Sequence, residues 1–417
     1  MTMRSTRREF LKVSLGALSF GVGVPSFLRR ATLAASSRAG TDNTLVVVQL
    51  TGGNDGLNTV VPFEDDAYAR SRPTLRLPKD RLHRIDPLLG LHPQMEAFVR
   101  LYEQGHLSIV HGVGYPNSNR NHDEALRDWE TARPGETGAQ TGWLGRVADG
   151  AANPGAGAPA VFLGQIERPF GLNAEKTVVS SIRSVDDCRV HDPPGPEGGD
   201  LHRRLLARAA ESPRPGTENP LLDFLRREAI EAQAGSDRIG ALAEATASGG
   251  YPDFQLARTL ASCARLIRAD LGIRVYFVEL GGGGIGGFDT HANQGANHGA
   301  LLEQLSRSVA AFVEDLRKDG LLERVLLMTF SEFGRTLAEN GRRGTDHGAG
   351  APVFLAGGKL KGGLLGAHPR LDDLDGGAPK FHTDFRRLYA TVLDRWIGID
   401  SRAVLGGEFE PLDVLRS

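Results

Sequence analysis

Cysteine is almost missing from this chain, with two among 417 residues. That scarcity excludes a disulfide framework and any Cys-rich zinc or iron–sulfur scaffold. An excess of positive charge is missing as well. Lys and Arg number 49 against 51 Asp and Glu, and aromatic residues make up 6%, which excludes a strongly basic nucleic-acid binder. The apolar stretch at residues 13–28 is interrupted by Ser, Gly and Pro25. At about 16 positions it falls short of the ~20 that a membrane span needs. Glycine (53) and proline (22) are plentiful, yet together they stay below the roughly 25–30% of low-complexity sequence. What remains is a loop-rich globular protein, long enough for one large α/β domain or two smaller ones.

The first residues change the charge balance. Thr6-Arg7-Arg8-Glu9-Phe10-Leu11-Lys12 precedes the apolar stretch, and small residues follow at Ala31, Ala34 and Ala35. Basic, apolar and small-residue regions in this order form a signal peptide, and paired arginines before Phe-Leu-Lys resemble the twin-arginine export motif. An amphipathic first helix is the plainer alternative. The expectation is a leader over residues 1–36, a partner in the twin-arginine export machinery, and a periplasmic or extracellular mature protein with no stable membrane span. Cleavage near Ala34 removes six basic residues against Glu9 alone, taking the net charge from −2 to −7. Cys188 and Cys263 then sit in an oxidising compartment, either bridged or as two separate buried thiols.

From residue 40 onward, strands alternate with helices. Thr44–Leu50 is a continuous, β-branched apolar run, the mark of a buried parallel strand. Further strands are expected at Leu107–Val113, Ala160–Gly164, Thr177–Ile182, Ile273–Leu280, Arg324–Phe330 and Pro352–Ala356. Helical spacing marks Pro93–Gln104, His122–Thr131, Leu201–Ala210, Leu221–Ala234, Leu256–Ala269, His298–Lys318 and Asp384–Gly398. Such alternation predicts an α/β fold with a mostly parallel central sheet and helices on both faces. The linker Asp192–Asp200 (DPPGPEGGD) introduces a loop and helical cap or insertion at about 190–255. The mature chain, 40–417, reads as one domain with that elaboration.

In open parallel sheets, function collects at the carboxyl ends of the strands. Four loops there carry unusual polar residues: Gly52-Gly53-Asn54-Asp55, the stretch Asn117-Ser118-Asn119-Arg120-Asn121-His122, Asp289-Thr290-His291, and Ser331-Glu332-Phe333-Gly334-Arg335 leading to Asp346-His347. Each has a structural reading on its own. Asp55 suits a Gly-rich turn, and Asn121 with Glu124 forms a capping box. Together, Asp55, Asp289, His291, Asp346 and His347 offer three carboxylates and two imidazoles. That donor set suits zinc or manganese and is too nitrogen-rich for calcium or magnesium alone. The adjacent Asp346 and His347 face one centre or reach two ions ~4 Å apart, so one ion and two both stand. Arg335 either forks an anionic substrate or pairs with Glu332 to fix its loop. His298 and His382 are further ligand candidates, set against a helix start and a residue beside the N-cap Asp384. Gly281, Gly283 and Gly286 match a dinucleotide fingerprint, but the run opens into Asp289-Thr290-His291 rather than a helix, which makes the match weak.

The twin-arginine leader, GGNDGLNT, NRNHDEALRDWETA, FDTHANQ, SEFGRT and TDHG, in this order, resemble a bacterial family catalogued as domain-of-unknown-function family 1501. That family is similar to the alkaline phosphatase and sulfatase superfamily. The resemblance covers essentially the whole mature chain. It implies an alkaline phosphatase-like fold, Asp55 as the first-strand metal ligand, Asp289 and His291 in the third loop, and Asp346-His347 as the adjacent pair. Where the family commonly reads Arg-Ser-His, this chain has Arg120-Asn121-His122, and a carboxamide cannot form the covalent intermediate that a hydroxyl could. Three outcomes follow: attack by metal-activated water, recruitment of Ser118, or binding without turnover. His122 either donates a proton to the leaving group or packs. The leading expectation is an exported metal-dependent hydrolase of phosphate or sulfate esters on a small molecule or glycan, with no nucleic-acid partner. The alternative is a non-catalytic periplasmic binding or assembly protein that keeps the fold.

Overall fold

The computed structural model describes residues 43–150, 159–165, 167–185, 237, 250–281 and 287–416. The leader, the expected helices Leu201–Ala210 and Leu221–Ala234, most of the elaboration at about 190–255, Cys188 and Gly282–Gly286 lie outside the described residues. The chain divides into two compact units, and the larger comprises residues 40–181, 248–264 and 274–417. Of the smaller, only 182–185, 237 and 265–273 are described. Everything below belongs to the larger unit.

Its central sheet is built on β1 (Thr44–Leu50), whose seven residues are all buried. Around it stand β2 (Leu107–Gly114), β3 (Ala160–Leu163), β4 (Val275–Leu280) and β5 (Val325–Phe330). The strand Ala351–Gly357, here β8, belongs to the same sheet, as do β9 (Gly363–Leu365) and β10 (Thr383–Asp384). The order is β9-β2-β8-β5-β1-β4-β3, with β10 beside β2. Strand β1 runs parallel to both neighbours, pairing Leu45 with Val275 and Thr44 with Val325. Strand β8 alone among these runs antiparallel, to β5 and β2. The fold is therefore α/β with a mostly parallel sheet, as expected from the alternation of elements.

Unbroken apolar strands need cover on both faces. On one face, Leu45, Val47, Phe277 and Met328 join Trp129, Trp143, Tyr389 and Trp396 in one buried cluster. Helices α4 (His122–Thr131), α5 (Trp143–Ala148) and α8 (Phe385–Ala390) carry three of those aromatics. Trp143 stacks on Tyr389 at 4.1 Å between ring centroids. On the other face, α3 (Glu96–Glu103) brings Phe98 within 5.1 Å of Phe354. The long helix α7 (Gln294–Lys318) turns a stripe of Leu301, Leu302, Leu305, Val309, Phe312, Val313 and Leu316 inward, the three-to-four spacing of a helix with one buried side. At the chain's end, α8 starts on an Asp384 cap and continues as a π-type turn over Thr391–Ile397.

Two shorter helices, α1 (Gly56–Thr59) and α2 (Asp66–Ser71), follow the first strand. A hairpin not anticipated from the sequence, β6 (Arg335–Glu339) with β7 (Thr345–His347), follows β5. Among the described residues, no helix is long and apolar enough to cross a membrane.

Candidate metal centre

Close approach of three loops builds the site. Gly52 has φ +113°, and a Cβ there would stand 2.4 Å from the backbone nitrogen of Asp289. Only glycine lets the loop after β1 lie against the loop after β4. Phe288 N–H donates to the Thr51 carbonyl at 2.8 Å and completes the contact. The hairpin closes in from a third side. Arg335 opposes His347 across it, Asn340 donates to the His291 carbonyl and to Asp346 Oδ1, each at 3.1 Å, and Gly344 packs where a Cβ would strike the His291 backbone. His122 arrives at the start of α4.

These elements direct three imidazoles at one carboxylate. Asp289 Oδ1 lies 3.0 Å from His291 Nε2 and 3.2 Å from His347 Nε2, and its Oδ2 lies 3.4 Å from His122 Nε2. In each ring, the other nitrogen faces an acceptor. His122 Nδ1 is 2.8 Å from Glu332 Oε1, His291 Nδ1 is 3.1 Å from Asp346 Oδ1, and His347 Nδ1 is 2.6 Å from the Arg120 carbonyl. A carbonyl or ionised carboxylate can only accept, so a proton on each Nδ1 satisfies these partners. A ring in that tautomer aims an Nε2 lone pair inward, toward Asp289, an arrangement that a cation between them would satisfy. Ligands of metal ions are commonly oriented by such partners.

The donor set fits a divalent ion. His122, Asp289 and His347 each offer an atom within 4.8 Å of the others, and among the described residues this is the group that could hold a metal. His122 Nε2 is buried without a hydrogen-bond partner, as a ligand atom facing a cation would be. Glu332 is buried, and Asp289 and Asp346 stand nearby, with the Arg335 guanidinium on the first and the charge of Arg342 acting on the second; a divalent cation would balance the negative charge that remains.

The local electrostatics follow from these contacts. The hydrogen bond that His122 donates to Glu332 outweighs burial and raises His122. Burial pushes Asp289 up, but the hydrogen bond and charge of Arg335 prevail and bring it down to about 2. Burial, aided by the Arg335 charge, lowers His347. The Asn340 hydrogen bond leads in lowering Asp346. The side chains of Asp289, His122, His291 and His347 are 43%, 32%, 32% and 21% exposed, so the centre opens to solvent.

Not every residue expected at the centre contributes a free group. Asp55 is buried, and both its oxygens are held by the Arg72 guanidinium, at 2.6 and 2.9 Å. Arg335 does not hold an anion and does not pair with Glu332. Its side chain is unexposed and donates to the carbonyls of Gly53, Gly52, Phe288 and Thr345 and to Asp289 Oδ1, so it fixes Asp289 from beneath. Asn121 caps α4, accepting from the backbone N–H of Asp123 and Glu124 at 3.0 and 3.3 Å, which occupies the oxygen of its carboxamide. Ser118 makes no hydrogen bond to the cluster. His298 turns to Asn54 Oδ1 at 3.0 Å, and His382 packs on Gly112; neither joins the group. His122, read from the sequence as a proton donor or a packing residue, stands among the candidate ligands. Arg72 carried no signal, since nothing in Ser71-Arg72-Pro73 marks a buried partner of Asp55.

A model of the family described as "Protein of unknown function (DUF1501)" matches residues 42–410. No curated protein matches the chain. Among solved structures, it is similar to the zinc complex of the C-terminal periplasmic domain of EcEptC from Escherichia coli, at 10% identity and a TM-score of 0.34, covering 76% of this chain and 73% of that one. It is also similar to the PsFucS1 sulfatase from Pseudoalteromonas sp., at 12% identity and a TM-score of 0.38, covering 98% and 75%. The lipoteichoic acid synthase LtaP from Listeria monocytogenes matches at 9% identity and a TM-score of 0.33, covering 78% and 68%.

Proposed function

The chain belongs to the DUF1501 family, and on that premise we propose that it is an exported, metal-dependent hydrolase of phosphate or sulfate esters on a small molecule or glycan. One observation carries the reading: three Nε2 atoms converge on Asp289 while every Nδ1 faces an acceptor. His122, Asp289 and His347 would hold the ion, with His291 beside Asp289 and His347, and the chemistry of the donors suits zinc or manganese. When bound, such an ion polarises an ester oxygen and lowers the pKa of water toward neutrality.

The chain's own residues set the rest. Glu332, Asp346 and the Arg120 carbonyl hold the three imidazoles in the tautomer that leaves Nε2 free. Arg335 holds Asp289 ionised and oriented from the buried side. The usual nucleophile position is filled by a capping carboxamide, so the attacking oxygen is that of water and no covalent enzyme intermediate forms. Arg120 donates through Nη1 to the Gly376 carbonyl at 3.0 Å and through Nη2 to the Asp375 carbonyl at 2.5 Å, which ties down the loop leading to His122. Export through the twin-arginine route rests on the leader at residues 1–36.

The capping role of Asn121 also favours a second reading, a non-catalytic periplasmic binding or assembly protein that keeps the ion. A panel of phosphate and sulfate esters presented to the metal-loaded mature chain separates the two. Turnover that disappears in Asp289→Ala, with the thermal transition kept, supports the hydrolase. An ion at full occupancy without turnover on any ester supports the binding protein.

A further inference from the structure

We propose that Arg72 is the permanent counter-cation of Asp55, and that the chain therefore holds one metal ion and not two. This rests on the metal-centre reading above and settles the ion number that the ligand pattern left open.

The Asp55–Arg72 pair is complete in itself. Arg72 directs Nη1 to Asp55 Oδ2 at 2.6 Å and to Asn58 Oδ1 at 2.9 Å, and Nη2 to Asp55 Oδ1 and the Thr336 carbonyl, each at 2.9 Å. Its Nε donates to the Leu337 carbonyl at 2.9 Å. A guanidinium has five N–H groups, and each has a partner here. The Asp55 carboxylate also accepts from Gln294 Nε2 at 2.5 Å. The two side chains are 0% and 1% exposed.

A metal ion on Asp55 would have to stand about 2.0–2.2 Å from an oxygen that already lies within 3 Å of a guanidinium nitrogen. The two cations would repel in a water-excluded site. Moving Arg72 aside would strand five buried donors. Asp289 differs in exactly this respect: Arg335 reaches it through Nη2 alone and on Oδ1, which leaves Oδ2 toward His122 and the carboxylate partly exposed.

The pair acts on the centre indirectly. Thr336 and Leu337, which accept from Arg72, lie on β6, and Gln294 links Asp55 to Thr345 through a 2.6 Å hydrogen bond. Thr345 precedes Asp346 and His347 on β7. Asp55 and Arg72 are thus positioning residues that hold the hairpin carrying His347.

The test is elemental analysis of the full chain after saturation with zinc or manganese and removal of excess ion, together with EPR of the Co(II)-loaded form. One ion per chain and a magnetically isolated cobalt signal are expected. A double variant, Asp55→Leu with Arg72→Met, removes the pair without leaving either charge unpartnered and is expected to bind no more than one ion, and to bind it more weakly, since the hairpin carrying His347 loses this hold. Two ions per chain in the wild type, or a spin-coupled cobalt pair, overturns the inference while leaving the metal-dependent reading intact. No ion at all overturns that reading itself. If the double variant does not fold, the wild-type stoichiometry and spectrum decide.

Discussion

The Nε2 atoms of His291 and His347 stand 2.9 Å apart while the Nδ1 atoms of both rings face acceptors, Asp346 and the Arg120 carbonyl. Two lone pairs directed at each other repel unless a proton or a cation lies between them. A shared cation resolves the contact at every pH at which the rings are neutral. Removal of the ion is therefore expected to destabilise the protein. With free ion at about 100 times its Kd, binding contributes roughly 2.7 kcal/mol, so a chelator is expected to lower Tm by several degrees and readdition of zinc or manganese to restore it. An unchanged Tm argues that nothing is bound.

Asp346 Oδ1 lies 3.1 Å from His291 Nδ1, and Asp346 is outside the group that could hold an ion. It is 61% exposed, so Asp346→Ala is expected to change stability by no more than about 0.5 kcal/mol. Loss of an outer partner of a ligand typically weakens metal affinity by about 10–100-fold. Competition against a chromophoric chelator measures this directly. An affinity equal to that of the wild type would reject the role given to Asp346.

Asn121 is a helix cap, and its substitutions separate capping from chemistry. Asn121→Ala is expected to cost about 1 kcal/mol in denaturant unfolding, whereas Asn121→Asp retains the acceptor and the stability. Turnover by the Asp variant is expected to stay within a few-fold of wild type. A fall of a thousandfold with stability retained would instead mark the carboxamide as part of the chemistry.

Asp55 is held by charge. Burial alone would raise its carboxyl, but the charge and hydrogen bond of Arg72 bring it below the usual carboxylate range. A depressed folded-state pKa means that the stabilisation is present above the ordinary carboxylate pKa and is lost as pH falls through the lower folded value. Asp55→Asn leaves Arg72 buried without its counter-ion, at an expected cost of about 3–5 kcal/mol near neutrality. The difference between wild type and variant in chemical denaturation is expected to shrink on acidification. A gap that widens toward low pH contradicts the assignment.

Glu130 gives the opposite sign. It is 4% exposed, and burial, only partly offset by the backbone N–H groups of Gly171 and Phe170, raises its carboxyl to about 7. A raised acid contributes stability that is full below its unfolded pKa and is lost as pH rises through the folded value. The window here runs from about 4.5 to 7. Glu130→Gln stays neutral throughout, so it is expected to match wild type near pH 5 and exceed it at pH 8 by up to about 3 kcal/mol. Thermal melts across that range measure the crossover.

Much of this architecture is written locally. The unbroken run TLVVVQL makes a buried strand anywhere it can be covered, and Asn121 before His122 starts a helix by capping the first free N–H groups. Strand ends that open into Asp289-Thr290-His291 and Asp346-His347 are legible for the same reason: chain direction in a parallel sheet brings those loops to one edge. The hairpin β6 with β7 leaves no such mark, because its pairing is short and bulged between Arg335 and Glu339, too brief for a period-two pattern to register.

The sequence by itself determined the alternation of strands and helices, the edge at which polar loops gather, and the residue types available to bind an ion. Tertiary structure alone decided how those residues divide their work. Asp55 and Asp289 are both aspartates after apolar strands, yet a guanidinium 17 residues away takes both oxygens of the first, and Arg335 leaves one oxygen of the second open. His122 becomes a candidate ligand because Glu332, 210 residues distant, holds its Nδ1. Local periodicity records which face of an element is buried. It carries no record of which distant charge arrives first at a carboxylate, and that arrival decides whether the group is closed off to hold the fold or keeps an oxygen open to a cation.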